Sequence, residues 1–170
     1  DDTLEVANVS VARTTTIRGG GGDDSVTINN GSHFSSSVSI SLDTGSLNES
    51  VSIDNATFDK PTAIRGSDVD STVNITANTG STTFNASLTI RTQSGDDQVT
   101  LDEADVSSGP LTIGTGDGDD QVTLDDGTYK ILSLNTGLGD DTVNIGTTTA
   151  VSVTLGAAIV LGDGTNGLTI

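Results

Sequence analysis

The chain has 170 residues and a formal net charge of −18, from 24 acidic and 6 basic side chains. That balance excludes binding to nucleic-acid phosphates and docking on anionic membranes, both of which need clustered Lys and Arg, and it favours solubility and attraction for cations. Cys, Met and Trp are absent and aromatics make up 2%, which rules out a disulfide framework and an ordinary globular core; no apolar run is long enough to insert into a membrane as a helix.

The opening DDTLEV carries no signal-peptide pattern, so any targeting segment is expected upstream or already removed. From there the chain repeats. An apolar residue follows each acidic turn, at Leu4, Val26, Val51, Val73, Val99, Val122, Val143 and Leu168, with gaps of 22, 25, 22, 26, 23, 21 and 25 residues. A second apolar anchor precedes each turn, at Ile17, Leu42, Ile64, Ile90, Ile113, Leu134 and Ile159, nine residues ahead of the next first anchor in all seven cases. Both anchors sit in apolar–polar–apolar triplets such as LTI at 88–90 and VTL at 99–101. That period of two means short strands with one buried face.

Such strands are too short for propeller blades and suit coils that stack strand on strand. The spacing predicts a single all-β domain over 1–170. It is a right-handed parallel β-helix (a β-solenoid) of about seven coils of 21–26 residues, its hand taken from the general crossover rule. At about 4.8 Å per coil the rod is roughly 35 Å long. Pro61 and Pro110 each lie three residues before an anchor, as corners require. Phe58 and Phe84 lie six before one and are expected to stack inside. The finish, NGLTI, repeats the half-corner of the start. The expectation is a segment of a longer repeat protein, or a unit whose partners are further copies stacked end to end.

The corners carry the chemistry. Six residues after the second anchor come Asp23, Asn48, Asp70, Asp96, Asp119, Asp140 and Thr165; one further come Asp24, Glu49, Ser71, Asp97, Asp120, Asp141 and Asn166. Asp1 and Asp2 extend both columns. Stacked coils place these like charges about 5 Å apart. Each pair costs on the order of 1 kcal/mol in water and several-fold more at an effective dielectric of 20. A hard divalent cation held by carboxylate and carbonyl oxygens would offset that repulsion, and Ca²⁺ accepts such oxygen cages. The candidate ligands are Asp24, Asp96, Asp97, Asp119, Asp120, Asp140 and Asp141. The alternative reading is that Asp and Gly are simply good turn formers facing solvent.

Gly116-x-Gly118-x-Asp120-x-Val122, Gly137-x-Gly139-x-Asp141-x-Val143 and Gly20-x-Gly22-x-Asp24-x-Val26 resemble the haemolysin-type (RTX) calcium repeat, G-G-x-G-x-D followed by an apolar residue. Gln93-x-Gly95-x-Asp97-x-Val99 fits in part, and Gly162-x-Gly164-x-Asn166-x-Leu168 has Asn for Asp. The resemblance implies Ca²⁺ held between stacked coils by Asp side chains and turn carbonyls. It spans about a third of the chain, with one motif per coil where that family has consecutive nonapeptides, and the corners TGSLNES and RGSDVDS lose the pattern. The whole resembles large bacterial surface proteins built from parallel β-helix repeats, which implies an extracellular or cell-surface place.

Arg18, Arg65 and Arg91 each follow an anchor, with Asp43 between the first two, and read as an exposed ladder of ion pairs or as a strip for acidic polysaccharide. His33 is the single histidine and has no Cys beside it for a metal or nucleophile site. Tyr129 is expected to pack in the core or at an edge. Thr27, Ser52, Asn74, Thr100, Thr123, Asn144 and Thr169 form one outward row; Ser25, Ser50, Thr72, Gln98, Gln121 and Thr142 form its neighbour. These are ordinary strand surface, or a face like that of ice-binding solenoids. Asn8, Asn30, Asn48, Asn55, Asn74 and Asn85 begin Asn-x-Ser/Thr sequons. Together the expectation is a non-enzymatic structural or adhesive segment of a surface protein or fibre, stiffened by Ca²⁺, with cell-surface glycans or proteins as partners. The other classes are a polysaccharide-binding or lyase module and an ice-binding solenoid.

Overall fold

The computed structural model describes residues 1–43, 48–78 and 80–170, and every regular element within them is a strand. The strands stack in parallel as a β-solenoid of about seven coils. Alternation along each strand sorts side chains to the two faces. In Ser25–Asn29, Val26 and Ile28 are buried while Ser25, Thr27 and Asn29 face outward.

One wall holds eight strands in chain order, from Thr3–Ala7 to Gly167–Thr169. Its register puts Leu4, Val26, Val51, Val73, Val99, Val122, Val143 and Leu168 in a single column, as the repeat predicts. The second wall aligns Ile17, Ile40, Ile64, Ile90, Ile113, Leu134 and Ile159. Ile40 therefore stands where the spacing argument placed Leu42. Both side chains point inward and both are buried, so a period of two cannot tell them apart. The corner of the second coil is thus two residues longer than the others, and its residues 44–47 lie outside the described residues.

That shift explains a third feature. Phe34, six before Ile40, joins Phe58 and Phe84 in one interior column, with ring centroids 5.1 and 4.8 Å apart and planes within 5°. Identical residues at identical register stack face to face because the coil rise leaves room for one ring thickness per coil plus offset. Val106, Tyr129 and Val153 continue the column toward the C-terminal end, and Tyr129 is fully buried. From the fifth coil onward the short strand bearing this column fuses with the second wall, giving Ala104–Asp117, Thr128–Leu138 and Ser152–Val160.

After the first wall the chain turns through a left-handed residue in five of the coils: Asn8, Asn30, Asn55, Glu103 and Asp126 have φ of 52, 56, 50, 57 and 41°. Asn tolerates that conformation better than other residues with a Cβ. Three of the six sequon asparagines are therefore accounted for by backbone geometry.

Candidate functional site

The acidic corner joins the second wall to the first. Its middle amides alternate in direction along the rod axis. In the coil of residues 111–124, Gly118 N–H donates to the Leu138 carbonyl of the next coil, and Gln121 N–H donates to the Asp97 carbonyl of the previous one, both at 2.8 Å. Between them, Asp119 N–H points back and Asp120 N–H points forward, and no carbonyl meets either. Carboxylates do. Asp119 N–H donates to Asp96 Oδ1 at 2.9 Å, and Asp120 N–H donates to Asp141 Oδ1 at 3.0 Å.

The pairing repeats along the rod as two ladders of opposite sense. In the outer ladder each carboxylate accepts from the following coil: Asp1 from Asp23, Asp70 from Asp96, Asp119 from Asp140 and Asp140 from Thr165, at 2.7–3.0 Å. In the inner ladder each accepts from the preceding coil: Asp24 from Asp2, Asp97 from Ser71, Asp120 from Asp97 and Asn166 from Asp141, at 2.7–2.9 Å. In the longer second corner Glu49 takes the place of Asp and accepts from Asp24 at 3.3 Å. Where the acceptor is an ionised carboxylate the bond is stronger than one to a neutral acceptor.

The seven residues proposed as metal ligands are thus divided between two faces. Asp96, Asp119 and Asp140 are exposed, while Asp24, Asp97, Asp120 and Asp141 are 1–2% exposed. The alternating direction of the corner amides sends the two residues of each pair to opposite sides. Among the described residues no three acidic, His or Cys side chains converge as a cage. What the corner supplies is an oxygen-only donor set spread along the axis, the chemistry a hard cation takes.

The second oxygens of the inner carboxylates, Oδ2 of Asp24, Asp97, Asp120 and Asp141 and Oε1 of Glu49, are buried and have no partner. Burial pushes the Asp97 carboxyl up to about 7, and the neighbouring Asp120 and Asp70 charges add to the rise. Burial raises Asp120 and Glu49 as well. Thr92 and Thr115 stand beside Asp97 and Asp120 and restrain these shifts. Each hydroxyl has one proton, however, and its hydrogen bond runs to a carbonyl of the next coil, Thr92 to Thr115 at 3.2 Å and Thr115 to Thr136 at 3.0 Å. A protonated Asp can donate Oδ2–H to the threonine oxygen while that bond persists, so the neutral acid satisfies the pocket better than the anion. The threonines were legible as a column two residues after Ile90, Ile113 and Leu134, and the same period of two that buries those anchors turns them inward.

From Gly95 onward the corner glycines are required by close approach. A Cβ at Gly118, where φ is +137°, would lie 2.0 Å from the Gly95 carbonyl oxygen. Gln93 shows what a departure requires: it holds φ of 86° and anchors its amide to the Gly66 carbonyl at 2.8 Å.

The arginine ladder is corrected. With Ile40 as the anchor, Ser41 sits between Arg18 and Arg65, and Asp43 leaves the column, its carboxylate accepting from Ser41 Oγ at 2.7 Å. Among the described residues the ion pair within 4.0 Å is His33 with Asp59, at 2.8 Å. Asp59 also accepts from Asn85, and these two contacts, Asn85's first, hold its carboxyl below the usual range. The two outward polar rows stand in register as predicted.

No family model, no curated protein and no solved structure matches this chain.

Proposed function

We propose that this chain is a non-enzymatic, extracellular or cell-surface rod: a structural and adhesive segment of a larger surface protein or fibre, continued by further coils or copies stacked on its ends. The observation that carries the reading is the coil-to-coil pairing of the corners, continuous from Asp70 and Ser71 to Thr165 and Asn166, where backbone carbonyls give out and carboxylates take over. A chain that invests its acidic residues in holding one coil to the next is built for axial stiffness.

Calcium belongs to the same reading. The outer oxygens of Asp96, Asp119 and Asp140 are the donors a cation reaches from solvent, and their partner oxygens are already held by amides. Ca²⁺ bridging that column would remove like-charge repulsion between coils, with water and carbonyls completing its shell, and the millimolar calcium outside cells would then favour the stacked state. The resemblance of the glycine–aspartate strings to RTX repeats supports the same ion.

The test is thermal melting by far-UV circular dichroism in EDTA, in millimolar Ca²⁺ and in millimolar Mg²⁺. The expected result is a calcium-specific rise in Tm that Asp119→Asn diminishes. Identical curves in all three solutions would remove calcium from the reading.

A further inference from the structure

Arg65 and Arg91 are exposed neighbours on the second wall, in direct register across one ladder step. Among the described residues neither guanidinium meets a carboxylate within 4.0 Å. Their backbones lie about 4.8 Å apart along the stack, and two cations held at that spacing would repel by about 1 kcal/mol in water. In a chain with 24 acidic residues, a counter-charge for them was available at many positions and is not placed here.

The next position in that column is Gly114, followed by Asn135. Gly114 differs from the corner glycines. Its φ is not left-handed, and a Cβ built on it would find its nearest neighbour, the Asn135 carbonyl oxygen, at an unstrained 3.9 Å. The backbone therefore has no need of glycine there. At this glycine lies a notch of about 420 Å³ on the open face, with Arg65, Arg91, Gln93, Thr112 and Asn135 among its walls. Two planar guanidinium forks at one end suit an oxyanion. Amide and hydroxyl groups on the remaining walls suit a ligand covered in hydroxyls.

We propose that this notch binds one anionic sugar unit of an acidic polysaccharide, its carboxylate or sulfate on Arg65 and Arg91 and its hydroxyls on Gln93, Thr112 and Asn135. The site deepens the adhesive half of the function proposed above and is independent of calcium. Melting curves report on the rod and polymer binding on the notch, so either can fail alone. The net charge of −18 opposes approach of any polyanion, and at about 0.15 M salt the Debye length of about 8 Å screens the more distant of those charges.

The experiment is titration calorimetry of the whole chain at about 0.15 M salt with EDTA present, so that no divalent ion bridges acid to acid. The probes are an oligogalacturonate, dextran sulfate, neutral dextran and poly-glutamate. Binding of the oligogalacturonate alone identifies a carboxylate ligand, and binding of dextran sulfate alone identifies a sulfate; either supports the proposal. Gly114→Gln, which fills the notch and leaves both arginines, and Arg65→Ala/Arg91→Ala should each weaken the bound polymer at least tenfold, with melting curves unchanged. Three results would overturn the proposal: no heat with either sugar polyanion, undiminished binding by both variants, or equal binding of poly-glutamate, which would reassign the notch to acidic peptides.

Discussion

Replacing Asp120 separates two things that a buried carboxylate can do: accept a hydrogen bond and carry a charge. Asp120 Oδ1 accepts from Asp97 N–H at 2.9 Å, and its Oδ2 is buried and unpartnered. In Asp120→Ala the Asp97 amide is stranded in a site that is 2% exposed. An orphaned buried donor costs about 1–3 kcal/mol, equivalent to roughly 3–10 °C in Tm for a chain of this length. In Asp120→Asn the acceptor is kept and the charge removed. The chain already contains that solution one coil from its end, where Asn166 accepts from Asp141 N–H and donates its Nδ2 to the Leu161 carbonyl, both at 2.7 Å. The corresponding carbonyl beside Asp120 belongs to Thr115. Asp120→Asn should therefore give a Tm at or above that of the parent. The assay is circular-dichroism melting of the three proteins at pH 7 in EDTA. If the Asn variant falls as far as the Ala variant, the charge is what matters, and the account of the inner ladder as amide pairing is wrong.

Two further perturbations follow from the same corner. Asp97 sits at about 7 in the folded chain against an ordinary 3.8, so the folded state holds its proton between about pH 4 and pH 7 and the unfolded state does not. Stability from this group is complete below pH 4 and is lost as pH rises through 7, at about 1.4 kcal/mol per unit and at most about 4 kcal/mol in all. Urea midpoints in EDTA should fall from pH 5 to pH 8, and Asp97→Asn should flatten that slope. Below pH 4 the trend reverses, because Asp59 and Asp125 have lowered values and lose their contribution on protonation. Gly118→Ala should cost at least about 2 kcal/mol, since it combines a left-handed backbone with a Cβ driven into a carbonyl, whereas Gly114→Ala should leave the urea midpoint unchanged; equal effects of the two would refute the distinction drawn between those glycines.

The architecture was legible because it is periodic. A buried column is written once per coil, and seven coils repeat the message, so the valine column of the first wall could be placed residue by residue. The failure at Leu42 came where periodicity is weakest. Ile40 and Leu42 have the same parity and the same burial, and the choice between them rests on the length of a corner whose glycine pattern is missing. That slip of two residues hid Phe34 from the phenylalanine stack and put Asp43 beside arginines it does not touch. The partition of the doubled aspartates was less accessible still. Sequence shows two acidic columns, but whether they converge on one point or diverge depends on backbone direction at the corner, and that follows from four amides pointing alternately up and down the axis.

The same alternation explains why the motif is a doubled aspartate and not a single one. At each corner two consecutive N–H groups point to opposite neighbours, so one acidic residue cannot serve both. The pair satisfies them in opposite senses, the outer carboxylate toward the following coil and the inner toward the preceding one. Every internal coil with a complete pair is therefore held on both sides. Charge enters unequally into this arrangement: the outer carboxylates stay in water, and burial pushes Asp97, Asp120 and Glu49 toward the neutral acid. The inner position departs from Asp through residues that carry no charge, Ser71 and Asn166, or through the longer Glu49 in the extended corner. At Asn166 the charge is absent and the Asp141 amide is still paired, while the outer face keeps, from Asp96 to Asp140, the open row of carboxylates on which calcium would act.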